Sequence, residues 1–260
     1  MKKILLFLAF IILSTICAKA SDMRFVQVDS MLLSASEKKS IEKMQKVIND
    51  INNQKNIEFV VFTGDNIANP KQENLECFVK IAKDLKKPYY IALGSKDINK
   101  NKHFSKKDYI NTLKTKSRLY KKIDSPNYVI EKKDIIFIIV DGSKEVIATP
   151  MGYYKESTLD WLETQLSYYS GKNVVIFQHF PLIPPANKET RATIKPEAYL
   201  EILNSYKNVK AIFSGNFNLN SEKDINGIIH FTTANAPQYR IVDIKDYETE
   251  NPTFWSVIKE

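Results

Sequence analysis

Phe59-Val60-Val61-Phe62-Thr63-Gly64-Asp65-Asn66 is a run of β-formers that closes on a glycine and carries one carboxylate past a strand end. An apolar run this short, bounded by turn residues, predicts a buried strand. Four more runs end in the same way, with polar residues soon after: Phe25 to Val28, Tyr89 to Leu93, Val174 to Phe177 and Val209 to Phe213. In open α/β sheets ligands collect just beyond the carboxyl ends of such strands. Five strand tips are therefore expected to meet at one site.

Between these runs the pattern turns helical. Ile41, Met44, Val47, Ile48 and Ile51 recur at intervals of three and four, and Ser34 to Glu37 has the spacing of a capping box. Leu75, Phe78, Ile81, Ala82 and Leu85 form a second apolar face, after the turn at Asn69-Pro70 and before Pro88. This βαβαβ order predicts parallel strands joined by crossover helices. Residues 95–125 are polar and Lys-rich, with a helix over 106–116, and read as a surface insertion across the tips. Tyr128 to Glu131 and Ile135 to Val140 then read as a hairpin, so antiparallel pairing enters here. A helix holding Leu159, Trp161, Leu162 and Leu166 follows, and another opens at Pro196. The tail gives three short strands, Ile228 to Thr233, Tyr239 to Ile244 and Thr253 to Ile258. The fold class is α/β: two packed mixed β-sheets flanked by helices, a four-layer αββα sandwich.

The 260 residues, 43% hydrophobic and 26% charged, suit a globular protein and exclude a disordered one. Lys2 and Lys3 precede an apolar stretch from Ile4 to Ile16, and Ala18-Lys19-Ala20 is a small-x-small cleavage site. Residues 1–20 are thus expected to be a secretory signal, and residues 21–260 one exported domain, periplasmic or secreted, with no stable membrane anchor after cleavage. That stretch holds three of the lysines and no acid, so a formal charge of +8 becomes +5 without it. An excess of this size spread along the chain is a solvated surface, and no basic–aromatic patch marks a specific nucleic-acid partner. Cys77 alone would remain, which excludes an intramolecular disulfide; its place in a helical pattern reads as a small apolar residue. Nothing here fixes the oligomeric state.

With these elements in place, the chain resembles the calcineurin-like metallophosphoesterases. Arg24 to Val28 is similar to that family's first strand, Gly64-Asp65-Asn66 to its Gly-Asp motif, and Gln178-His179-Phe180-Pro181 to its His-x-Pro segment. Gly94-Ser95-Lys96-Asp97 stands in the place of Gly-Asn-His-Asp, and Gly215-Asn216-Phe217-Asn218 in that of Gly-His-x-His. Leu159 to Glu163 resembles the family's Leu-x-Trp-Leu-Glu helix. The resemblance implies phosphoester hydrolysis at two divalent ions that clamp the phosphate and activate a water.

Carried over residue by residue, it also implies that most ligands are replaced. The first-strand Asp-x-His falls on Ser30 and Leu32, with Asp29 displaced by one residue. The bridging Asp is Asp65, the Asn ligand becomes Ser95, and the His that protonates the leaving group becomes Lys96. His179 is kept, and the last two His ligands become Asn216 and Asn218. Two intact ligands do not hold two ions, so the expectation is a non-catalytic or very weak phosphoesterase-fold binding protein, with no cofactor and no assigned catalytic residue. Its partner would be a phosphate-bearing or other anionic small molecule at Lys96 and Asn216. The alternative is a hydrolase with one divalent ion (Mn, Fe or Zn) held by Asp65, His179 and Asn218.

Each of these residues also has a purely structural reading. Asp65 would close an Asx-type turn, His179 would be a satisfied strand-end histidine, and the two asparagines would be turn formers. Lys96 is either a solvated cation beside Lys100 and Lys102, or the partner that neutralises Asp65. Strand alternation sends Asp29 and its neighbour Ser30 to opposite faces, which weighs against Asp29 reaching the site.

Overall fold

The structure, a computed structural model, describes residues 22–117, 123–147, 149–187 and 189–260. The expected leader, and residues 118–122 of the Lys-rich insertion, lie outside the described residues. Two sheets face each other. One holds five strands in the order β11-β10-β1-β2-β3: β1 Met23–Val28, β2 Phe59–Phe62, β3 Tyr89–Ile91, β10 Tyr239–Lys245 and β11 Thr253–Lys259. The other holds six in the order β4-β5-β6-β7-β9-β8: β4 Tyr128–Lys132, β5 Ile135–Ile139, β6 Asn173–Phe177, β7 Val209–Ser214, β8 Ser221–Ile225 and β9 Ile228–Thr232. β1, β2 and β3 run parallel, as do β5, β6, β7 and β9, and the pairings β1–β10, β10–β11, β4–β5 and β8–β9 are antiparallel.

Parallel strands need crossovers, and the helices supply them: α1 Lys38–Asn53, α2 Gln72–Ala82, α3 Lys106–Lys116, α4 Glu156–Tyr168 and α5 Glu197–Ser205. Because crossovers share one hand and sheet faces must be covered, the helices lie outside and the sheet–sheet interface becomes the main core. That interface is built of phenylalanine. Phe25 stacks on Phe59 at 5.2 Å and meets Phe137, Phe177 and Phe213 edge-on, and Phe213 stacks on Phe231 at 4.4 Å. Offset and edge-to-face ring pairs of this kind add to the burial of apolar area itself.

Two sequence expectations are corrected here, and one strand is added. Ser34 does not open a capping box: Glu37 is the N-cap of α1 without a side-chain bond, and Ser34 N–H donates instead to Ser40 Oγ at 2.8 Å. The true box sits on α3, where Ser105 and Asp108 cap each other reciprocally. Nor is the Lys-rich segment merely superficial, since Phe104, Tyr109, Ile110 and Leu113 are buried in the main core. β8 gave no strand signal because its sequence, Ser221-Glu222-Lys223-Asp224-Ile225, is polar up to its last residue. It is an exposed edge strand, where charge is tolerated and blunts further pairing.

Candidate functional site

All five tips converge, and they are held there by close backbone contact. The amides of Ser30, Leu32 and Leu33 donate to the carbonyls of Gly64, Asp65 and Asn66 at 3.0 Å each, which zips the loop after β1 to the loop after β2. Gly215 lets the tip of β7 approach: a Cβ there would fall 1.7 Å from Asp29 Oδ1. Gly94 serves the tip of β3 in the same way, since its Cβ would lie 2.4 Å from Asp65 Oδ1. Any side chain at either place would push a carboxylate out of the site.

The centre of the site is His179, fully buried after β6. Its Nδ1 lies 2.8 Å from the Thr63 carbonyl and 3.4 Å from Asp29 Oδ1, and its Nε2 lies 3.5 Å from Asp65 Oδ1. The imidazole therefore stands between two carboxylates. Burial opposes its charge, but Asp65 and Asp29 outweigh that penalty and push its pKa up to about 9. On the far side of Asp65, Lys96 Nζ lies 3.5 Å from Oδ2 with its side chain 46% exposed. Asp65 Oδ1 also accepts from Lys96 N–H at 2.8 Å and from Ser95 Oγ at 3.3 Å. Charges thus alternate along a line: Asp29, His179, Asp65, Lys96.

Asp29 reaches the site, against the alternation argument. Phe25, Gln27 and Asp29 share the face that looks at the second sheet, so alternation delivers the Asp29 carboxylate inward. Ser30, at φ 46°, is the residue that leaves the extended path. Asp29 accepts from Thr63 Oγ1 (3.0 Å), Ser30 Oγ (2.7 Å) and Asn216 N–H (3.0 Å).

Asn216 is buried, and its side-chain amide donates to the carbonyls of Pro150 at 2.7 Å and Arg191 at 2.6 Å. Both N–H donors are engaged, so it offers none to an anion, contrary to the sequence expectation. Asn218 is exposed, and its Oδ1 accepts from Asn235 N–H at 3.2 Å. The structure therefore joins Asp65, His179 and Lys96 and turns both asparagines to backbone partners.

Asp97 is the residue that sequence reasoning passed over. Fully buried, its carboxylate accepts from the amides of Asn66 (2.8 Å), Ile67 (3.1 Å) and Gly94 (2.8 Å) and from Asn66 Nδ2 (3.0 Å). It buckles the loop after β3 to the loop after β2 and so sets where Asp65 and Lys96 stand. Burial, with Asp65 nearby, raises its pKa to about 7. Its position three residues after Gly94 was the available signal.

The calcineurin-like phosphoesterase profile matches residues 21–215. The chain belongs to the calcineurin-like phosphoesterase family. A probable glycerophosphodiester phosphodiesterase of Arcobacter nitrofigilis is 28% identical over 200 residues, covering 74% of this chain and 68% of that protein. A dimetal phosphatase from Danio rerio has the same fold, with a TM-score of 0.68 at 16% identity over 89% of this chain and 98% of that one. So does GAP50, the anchor in the inner membrane complex of Plasmodium, with a TM-score of 0.58 at 13% identity over 92% and 90%. The family is typically dependent on divalent metals and acts on phosphate-bearing substrates. Among the described residues, no group of three or more His, Cys, Asp or Glu is disposed to hold a metal ion.

Proposed function

We propose that this chain is an exported family member in which protein cations have taken over the charge of the metal pair, and that it binds a phosphate-bearing small anion rather than hydrolysing it. The observation that carries this reading is Lys96: its ammonium lies 3.5 Å from the Asp65 carboxylate, where the family pattern places a histidine. With His179 held as imidazolium between Asp29 and Asp65, the alternating line is balanced without an external ion. A buried carboxylate without such a partner is costly, which is why the replacement works as a set.

The donor set does not suit two divalent ions. Ser30 Oγ and Ser95 Oγ point as hydrogen-bond donors at Asp29 and Asp65. Leu32 has no donor atom, Lys96 is itself a cation, and Asn216 turns its amide to carbonyls. The anion would meet the half-exposed Lys96 head, without Asn216.

Residues 1–20 are the proposed leader and 21–260 the proposed single domain. In support of one domain, the last strands do not stand apart: β8 and β9 complete one sheet, and β10 and β11 the other.

A second reading has one observation in its favour. His179 Nε2 is buried, lacks a hydrogen-bond partner among the described residues, and faces Asp65 at 3.5 Å. Two ligands of one ion stand at about that separation, and one divalent ion there (Mn, Fe or Zn) would polarise a phosphoryl oxygen.

Thermal unfolding separates the two. If the chain binds phosphate or glycerophosphocholine, either one raises the unfolding temperature, and Lys96→Ala removes the rise. No rise with either ligand overturns the binding function. A rise only in the presence of Mn, lost in Asp65→Asn, supports the second reading instead.

A further inference from the structure

The strand-tip end of the molecule carries a feature that the anion site does not use. Beyond β5, residues 141–147 form a loop laced to the 3-10 turn Lys100–Lys102. Lys100 N–H donates to the Glu145 carbonyl at 2.7 Å, and Asn101 Nδ2 donates to the Val146 carbonyl at 3.0 Å. Lys106 pins the base of the loop, through its N–H to Glu145 Oε1 at 2.9 Å and its Nζ to Asp141 Oδ2 at 2.5 Å. The loop held up in this way presents two aliphatic residues to water, Val146 at 53% and Ile147 at 70% exposure.

Charge on this rim is sorted. The acids are engaged internally: Asp141 by Lys106 and Ser143, Glu145 by the first amide of α3, and Asp108 by Ser105. The cations are not. Among the described residues Lys100, Lys102 and Lys144 have no acidic partner within salt-bridge distance. An aliphatic tip is thus flanked by uncompensated lysines on a loop that its own hydrogen bonds hold in place.

We propose that this tip is an interfacial docking site for an anionic lipid surface, with Val146 and Ile147 entering the headgroup layer and Lys100, Lys102 and Lys144 lying among the lipid phosphates. A soluble polyanion would satisfy the lysines and leave the aliphatic pair in water. A stable protein partner buries about 800 Å² on each side, more than two side chains supply. An anionic bilayer satisfies both at once, because apolar insertion and electrostatic attraction act together there. Such docking is peripheral and reversible, and no described helix is long and apolar enough to cross a membrane.

The test is co-sedimentation of residues 21–260, which contain every described element, with vesicles of phosphatidylcholine alone or with added phosphatidylglycerol. The expected result is binding to the anionic vesicles that weakens with salt and is much poorer on phosphatidylcholine. Lys100→Glu/Lys102→Glu and Val146→Asp/Ile147→Asp should each lower affinity on the order of tenfold. Unchanged melting curves would show that both variants fold; Ile147→Ser stands in for an aspartate pair that does not. The proposal is overturned if the parent ignores anionic vesicles, or if the aspartate variant binds them as the parent does. Binding that heparin abolishes and the aspartate variant retains would assign the tip to soluble polyanions instead.

Discussion

The middle of the sandwich and its tips obey different physics. Between the sheets, Phe25, Phe59, Phe137, Phe177, Phe213 and Phe231 make a dry interior in which shape and volume decide everything. At the tips a handful of buried polar groups are held by charge and hydrogen-bond partners, His179 Nδ1 on the Thr63 carbonyl and Asp29 on three donors among them. The middle tolerates exchange of one apolar side chain for another of like volume, whereas the tips tolerate change only in compensating sets. On the proposed reading, that difference is what lets a site exchange its family ligands while its frame stays. Ser30, Leu32, Asp65, Asn216 and Asn218 all keep left-handed backbone, with φ between 46° and 66°, although a leucine has no intrinsic reason to adopt it. Outliers of this kind survive where surrounding structure determines them, which marks the tips as an inherited frame.

The comparison can be broken most directly in the interior. Phe177→Ala opens a void against Phe25, Phe137 and Phe213 and should cost about 3–5 kcal/mol in urea unfolding. A loss under about 1 kcal/mol would mean the ring stack is not the core it is taken to be. Next comes the polar buckle: Asp97→Ala leaves the amides of Asn66, Ile67 and Gly94 without their acceptor and should cost about 2–3 kcal/mol.

The charge line predicts a pH dependence. Because the fold raises the pKa of His179 to about 9, its contribution is complete below about 6.5 and disappears as pH rises through the folded value. Unfolding temperature should therefore fall between those limits, and His179→Gln should fall less steeply. An equal slope in both proteins would remove the imidazolium from the account. The smallest effect belongs to Lys96→Ala, under about 1 kcal/mol, since a half-exposed ion pair is screened by water. A larger loss would mean that His179 alone does not balance the buried Asp65 and that Lys96 carries more of the replaced charge.

Much of the fold was legible because apolar runs and helical periodicity follow from burial alone. The helix over 106–116 matches α3 residue for residue, and the five parallel-strand runs lie where they were read. β8 was illegible for the converse reason: an edge strand needs no apolar face. At the site, the meeting of Asp65, His179 and Lys96 was expected from the rule that ligands collect at strand tips and from the family resemblance that placed each residue in a site motif. The orientation of Asn216 could not be read, because the carbonyls that take its amide, Pro150 and Arg191, lie far away in sequence. The arrival of Asp29 was missed because its register was argued from a residue, Ser30, whose positive φ breaks the alternation.

Metal analysis of the purified chain after incubation with Mn, Fe and Zn, paired with turnover of a glycerophosphodiester, tests the central claim most directly. Replacement of the metal pair by protein cations predicts well under one bound ion per chain and no turnover above background. Two bound ions per chain, with hydrolysis abolished by Asp65→Asn, would contradict it.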